Sequence, residues 1–299
     1  MLQKWLPTYF CLSSLLVPTV TFAKQTLSIP LTLQSGLHVN AQLLLPDHHL
    51  GPTSNRIPIP AFLVFGGFQD AARILDLLAP WVDRERVALA SFDYPYTGPR
   101  KFVFPDSLSD VPKAKRMIGD TVEGIVLLYR ALQTRNDIRS SEIILVGASL
   151  GAPFVLQAAA NDPSIQKTAL LHGFGQVERI AHIQLQAGFV RKGWPTWLAG
   201  PVYWILARSA WWYLGQPSPE LSAELLGPNQ RVLYVTAVED SIIPLDAREA
   251  LWQGLRRSKA VVSRVDISGD HFAAGSEPMD SKIQRHFDVV LKWNRGLVP

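Results

Sequence analysis

Residues 143–154 read Ile143-Ile144-Leu145-Val146-Gly147-Ala148-Ser149-Leu150-Gly151-Ala152-Pro153-Phe154. The four apolar residues that open this stretch, three of them β-branched, suit a central strand covered on both faces. Pro153 fits the first turn of a helix, where the amides have no partner within the helix. That helix runs on through Val155, Leu156 and Ala158 until Asn161-Asp162-Pro163 stops it. Between strand and helix lies Gly-x-Ser-x-Gly. A sharp turn there forces its apex into a strained backbone conformation and pushes the Ser149 hydroxyl out of the sheet, while Gly147 and Gly151 let neighbouring backbone come close. Ser149 also sits near the positive end of the helix dipole, which favours the alkoxide-like charge that forms during attack.

On this elbow the sequence resembles the α/β-hydrolase family, and the resemblance covers nearly all of the chain after residue 23. In that family a triad follows in the order Ser, then Asp or Glu, then His. Here Arg231 to Val238 reads as a strand followed by Glu239-Asp240-Ser241, and Ala260 to Ile267 reads as a last strand followed by Ser268-Gly269-Asp270-His271. The resemblance implies Asp240 as the acid and His271 as the histidine, both just past strand ends, where an open parallel sheet gathers its reactive groups. The chemistry needs all three types. A serine hydroxyl is a poor nucleophile at neutral pH, so an imidazole takes its proton and a carboxylate holds the ring in the productive tautomer. Glu239 and Asp246 compete with Asp240. Strand alternation points Glu239 the other way, and Asp246 reads as part of a helix from Leu245 to Arg257.

Six further histidines occur: His38, His48, His49, His172, His182 and His286. His172 rivals His271, because it ends the apolar run Thr168 to Leu171 and falls on the same rim. It precedes the acid, against the family order, and reads as a substrate-binding residue on the pocket wall. The resemblance also implies two oxyanion donors: the Leu150 amide, and the amide of Gly67 or Phe68 in the loop after Ala61-Phe62-Leu63-Val64-Phe65. Phe65 stands where the family often has His.

The remaining elements alternate. Thr26 to Leu33 and Leu37 to Leu45 read as an edge hairpin. Ile74, Leu75, Leu78, Trp81 and Val82 mark a helix face, and Val87 to Phe92 is a further strand. Asp120 and Glu123 read as the capping box of a helix whose apolar face is Val122, Ile125, Val126, Tyr129 and Leu132. This order predicts an α/β fold with a mostly parallel, doubly wound sheet. The expected organisation is a signal peptide at 1–23, a core at 24–171 and 229–299, and a helical insertion at 172–228. Five of the nine tryptophans lie between Trp194 and Trp212 in that insertion. Such aromatics suit a lid, with Trp194 and Trp197 against substrate, or a surface touching lipid; equally they suit helices packed on the core.

Lys4, an apolar run from Trp5 to Val20 and Thr21-Phe22-Ala23 resemble a secretory signal, so a periplasmic or secreted location is expected, with an N-terminal anchor as the alternative. The only cysteine, Cys11, lies in that segment. The net charge of +4 is modest and its basic residues are dispersed, which gives no nucleic-acid footprint. No phosphate loop, dinucleotide fingerprint or zinc signature occurs, so no cofactor and no metal are expected. The expected activity is serine hydrolysis of an ester or thioester with an apolar or acyl-bearing group. The alternatives are an amidase, peptidase or acyltransferase with the same triad, or a non-catalytic lipid-binding protein of the envelope.

Overall fold

Runs of consecutive apolar residues become strands that bury both of their faces. In the computed structural model, which describes residues 26–47, 57–67, 70–95, 111–191, 196–272 and 275–298, eight strands form one sheet. They are β1 (Thr26–Thr32), β2 (His38–Leu44), β3 (Ile59–Phe65), β4 (Ala88–Ser91), β5 (Ile138–Ala148), β6 (Lys167–Leu171), β7 (Arg231–Ala237) and β8 (Val261–Ile267). The spatial order is β1-β2-β4-β3-β5-β6-β7-β8. β1, β2 and β4 pair antiparallel at one edge, and every pair from β4 through β3 to β8 is parallel.

Strand alternation divides the apolar residues between two cores. Ala61, Leu63, Phe65, Ile143, Leu145, Val232 and Tyr234 face one way. Phe62, Val64, Ile144, Val146, Leu233 and Val235 face the other. The first face is covered by α2 (Val111–Gln133), α3 (Gly151–Asn161), α6 (Pro219–Glu224) and α7 (Leu245–Arg257). The second is covered by α1 (Ala71–Glu85) and α8 (Met279–Asn294). Helices on both faces are what a parallel sheet requires, since its crossovers must pass over one face or the other.

Between β6 and β7 the chain forms α4 (Val177–Arg191), α5 (Thr196–Leu214) and the short α6. α5 turns Val202, Trp204, Ile205, Trp212 and Tyr213 outward, with Trp212 82% exposed. Among the described residues no helix is long and apolar enough to cross a membrane. The segment 1–23 lies outside the described residues.

One expected boundary is wrong. Asp120 does not open a helix: α2 begins at Val111, and Asp120 sits buried in its middle. Pro112 lies at the second position of α2, where proline is tolerated, while Asp120 falls eight residues further in. Glu123, the other half of the expected box, accepts the Gln34 amide at 2.7 Å and ties α2 to the β1–β2 turn.

The two elbow glycines meet hard limits. A Cβ on Gly151 would lie 2.1 Å from the Phe65 carbonyl oxygen, and one on Gly147 would lie 2.4 Å from Val155 Cγ2 and 2.7 Å from Ala152 Cα. The end of β3 therefore packs directly on the start of α3. Gly151→Ala forces backbone apart in a close-packed layer, and we expect it to cost at least about 2 kcal/mol in urea unfolding. A variant as stable as the parent contradicts this packing.

Candidate active site

Four adjacent parallel strands deliver four side chains to one rim. β5 ends before Ser149, β6 before His172, and β7 and β8 run into loops carrying Asp240 and His271. Ser149 has φ 51°, the left-handed region, and its amide donates to Leu171 O at 2.8 Å on β6. The chain then turns back sharply into α3, with Ala152 N donating to Ser149 O at 3.0 Å. A non-glycine residue held there stores backbone strain, and the tight packing around Gly147 and Gly151 keeps it in place.

His271 Nε2 lies 3.1 Å from Ser149 Oγ, and its Nδ1 lies 3.0 Å from Asp240 Oδ2. The Asp240 side chain is fully buried. Its Oδ1 accepts the Ile242 amide at 3.0 Å and the Ile243 amide at 2.8 Å. Burial alone would raise the carboxyl's pKa, but hydrogen bonds from His172, His271 and the Ile243 amide outweigh it and hold the group well below the usual carboxylate range. The competing acids are engaged elsewhere: Glu239 accepts the Gly269 amide, and Asp246 pairs with Arg179 at 2.6 Å.

Asp270 ties the two loops together. Its Oδ1 accepts the Ser241 amide and the His271 amide, each at 2.7 Å, so the turn bearing the acid and the turn bearing the imidazole share one clamp. Burial again pushes this carboxyl up, and the hydrogen bonds from Ser241 and His271 bring it below its ordinary value. Lys282, buried in α8, donates from Nζ to His271 O at 2.7 Å. Asp270 stands beside His271 in the sequence, but nothing local distinguishes a clamp from an ordinary turn residue. Lys282 lies on another element altogether.

His172 is not on the pocket wall. It is fully buried behind Asp240, with φ 51° and its Nδ1 3.0 Å from Asp240 Oδ2. Its Nε2 lies 2.7 Å from His286 Nε2, and His286 Nδ1 donates to Lys282 O at 2.6 Å. Burial lowers the pKa of both rings, His172 despite its bond to Asp240, and His286 to about 3 with His172 adding to the effect.

Beside Ser149 opens a cavity of about 220 Å³. Its walls are Val64, Val146 and Ala148 from the sheet, Ile74, Leu77 and Leu78 from α1, and Met279, Ile283 and Phe287 from α8, with Gly66, Gly67 and His271 nearer the serine. The described walls come from the sheet, α1 and α8. Trp194 and the Trp197 side chain lie outside the described residues, as does Phe68. Leu150 precedes the first turn of α3. Gly67 borders the cavity with Ser149, and the loop it belongs to is held from below, where buried Tyr94 donates to Gly66 O at 2.5 Å.

His172, Asp240 and His271 also make a metal-like donor set, with ligand atoms within 4.8 Å of one another. A zinc ion needs such atoms about 2 Å from itself. Here both Nδ1 atoms are already spent on the same carboxylate oxygen, so the geometry fits hydrogen bonding.

No sequence family and no curated protein matches this chain. Its shape does have relatives. Acetyl xylan esterase 1 from Thermoanaerobacterium sp. superposes with a TM-score of 0.57 at 14% identity, over 89% of this chain and 84% of that one. A cold-adapted esterase from an Arctic intertidal metagenomic library gives 0.56 at 12%, over 93% and 96%. A puromycin-hydrolyzing peptidase of Mycobacterium tuberculosis gives 0.64 at 15%, over 94% of this chain and 40% of that longer one. The fold is that of the α/β-hydrolases. At these identities the likeness speaks for architecture, and the chemistry must be argued from the site itself.

The buried ring and carboxylate set the acid response. Burial pushes the His286 ring down to about 3 in the fold from its ordinary 6.5, so the stability it contributes is complete above pH 6.5 and is lost as pH falls toward 3. The lowered Asp240 adds a loss below about pH 4. Scanning calorimetry should show the melting temperature falling from pH 7 to pH 4, with a shallower fall in His286→Leu. A flat or rising profile contradicts the assignment.

Proposed function

We propose that this protein is a serine hydrolase that cleaves carboxylic esters or thioesters carrying a short to medium apolar acyl chain. The observation that carries this reading is the continuous line from Asp240 Oδ2 through His271 to Ser149 Oγ, at 3.0 and 3.1 Å, opening onto an apolar cavity of about 220 Å³.

The chemistry follows from the positions. His271 Nε2 accepts the Ser149 proton as Oγ attacks the carbonyl carbon, and Asp240 stabilises the imidazolium that results. Negative charge then develops on the carbonyl oxygen. In this reading the amide of Leu150, at the head of α3, receives it together with that of Gly67 or Phe68, and the helix dipole adds a favourable field. The imidazolium returns its proton to the leaving oxygen or sulfur, which departs and leaves Ser149 acylated. Water, deprotonated by the same ring, releases the acid.

The cavity defines which acyl groups fit. At about 220 Å³ it suits a short to medium chain rather than a long one, and its lining is almost wholly apolar. The outward aromatic face of α5 supports a separate role in touching apolar surfaces such as lipid.

A panel of p-nitrophenyl esters tests the reading. We expect kcat/KM to peak between butyrate and octanoate and to fall at least about a thousandfold in Ser149→Ala. Ile283→Trp, which fills the cavity from α8, should move the optimum toward acetate. Hydrolysis of matched p-nitroanilides faster than the esters, or no turnover of any ester by folded protein, overturns the proposal.

A further inference from the structure

The hydrolytic steps use one imidazole, yet the rim holds three in contact. His172 lies between His271 and His286, with ring centroids 4.8 Å and 4.7 Å from theirs. Its backbone repeats the device seen at Ser149. Each residue follows its strand directly, each has φ 51°, and each sends its amide to the neighbouring strand, His172 N to Val235 O at 2.8 Å. A left-handed non-glycine residue that is also completely buried is a costly way to fill space.

What the strained turn achieves is a shared carboxylate. Asp240 Oδ2 receives Nδ1 of His271 and Nδ1 of His172, each at 3.0 Å, while Oδ1 receives two amides. All four acceptor positions of the ionised group are then in use. Resting on the reading of His271 as the base, we propose that His172, braced by His286, is a positioning residue: it shares the Asp240 carboxylate with His271 and so sets how strongly that carboxylate draws on the proton of the catalytic ring.

Proton counting supports more than a packing role. Lys282 O and the Asp240 carboxylate are both acceptors, and the two rings between them make three contacts, at 2.6, 2.7 and 3.0 Å. Three hydrogen bonds need three N–H protons, and two neutral imidazoles carry two. A third proton, when bound, turns His172 into a cation against Asp240. In either state His172 takes part of the carboxylate's negative charge away from His271. Among the described residues the other charged groups facing this cluster are Lys282 and Arg285 on α8 and Asp270 beside His271. Lys282 and Asp270 bond to the His271 backbone and Arg285 to Glu277, none of them through His172, so a shift caused by its loss is assigned to the shared carboxylate.

Two substitutions separate a shared carboxylate from simple filling. His172→Ala removes the donor. His172→Asn places an amide nitrogen where Nδ1 stands, tolerates the left-handed backbone, and keeps the bond to Asp240 while losing the contact with His286. Nitrogen-15 histidine NMR titration of the intact chain is the readout. We expect the His271 midpoint to rise by about half a pH unit or more in His172→Ala and to move less in His172→Asn, because an undivided carboxylate holds the imidazolium more tightly. The acid limb of fluorophosphonate labelling at Ser149 should follow. An unmoved or lowered midpoint in folded His172→Ala overturns the proposal. Should that variant fail to fold, the unmutated protein decides: His172 carries a proton on Nδ1 throughout the titration if it shares Asp240, and a ring protonated only on Nε2 overturns the idea. Absence of any Ser149 labelling in the unmutated protein refutes the hydrolase reading instead, and the NMR result stands apart from it.

Discussion

A single buried carboxylate organises this rim. Asp240 sits in a fully enclosed position just past β7, and a charge there is tolerable only because every acceptor site is filled. Two of the four donors come from its own turn and two from histidines on neighbouring strands. The position of His271, and through it the alignment with Ser149 Oγ, follows from that requirement. Asp270 and Lys282 then fix the backbone of His271 from two sides. The sheet supplies the convergence, since parallel strands end together and their following residues share one edge.

The parts legible in the sequence were those that repeat with a period or obey a local rule. Two-faced apolar runs such as Ile143 to Val146 marked strands, and the span Leu245 to Arg257 emerged as α7 with both ends as expected. The spacing of Ser149, Asp240 and His271 relative to strand ends sufficed to bring them together, because a strand end is a place in space once the sheet is parallel. The edge hairpin β1–β2 was equally plain from its alternation.

What the sequence concealed was contact between elements remote in order. His286 lies on the last helix and His172 after β6, 114 residues apart, and nothing in either neighbourhood indicates that their rings meet. Its place at a strand end on the right rim makes His172 read as a pocket-wall residue. Its left-handed turn instead sends the side chain behind Asp240, where solvent does not reach. The aromatic segment stands out by its composition, whereas the apolar cavity lies between α1 and α8. Its lining comes from ordinary core residues such as Leu78 and Phe287, and composition cannot tell a wall from a core. The Asp120 and Glu123 pair shows the same weakness: a capping pattern carries weight only at a helix end, and the helix already runs from Val111, nine residues earlier.

The proposed reaction rests on one bond and one direction: acyl transfer to Ser149 Oγ, with the chain lying between α1 and α8. A crystal structure of the protein treated with a hexyl fluorophosphonate tests both together. We expect phosphorus bonded to Ser149 Oγ, its free oxygen toward the Leu150 amide, and the alkyl chain against Leu78, Ile283 and Phe287. An unmodified Ser149 with the reagent on another residue, or a chain directed away from that cavity, contradicts it.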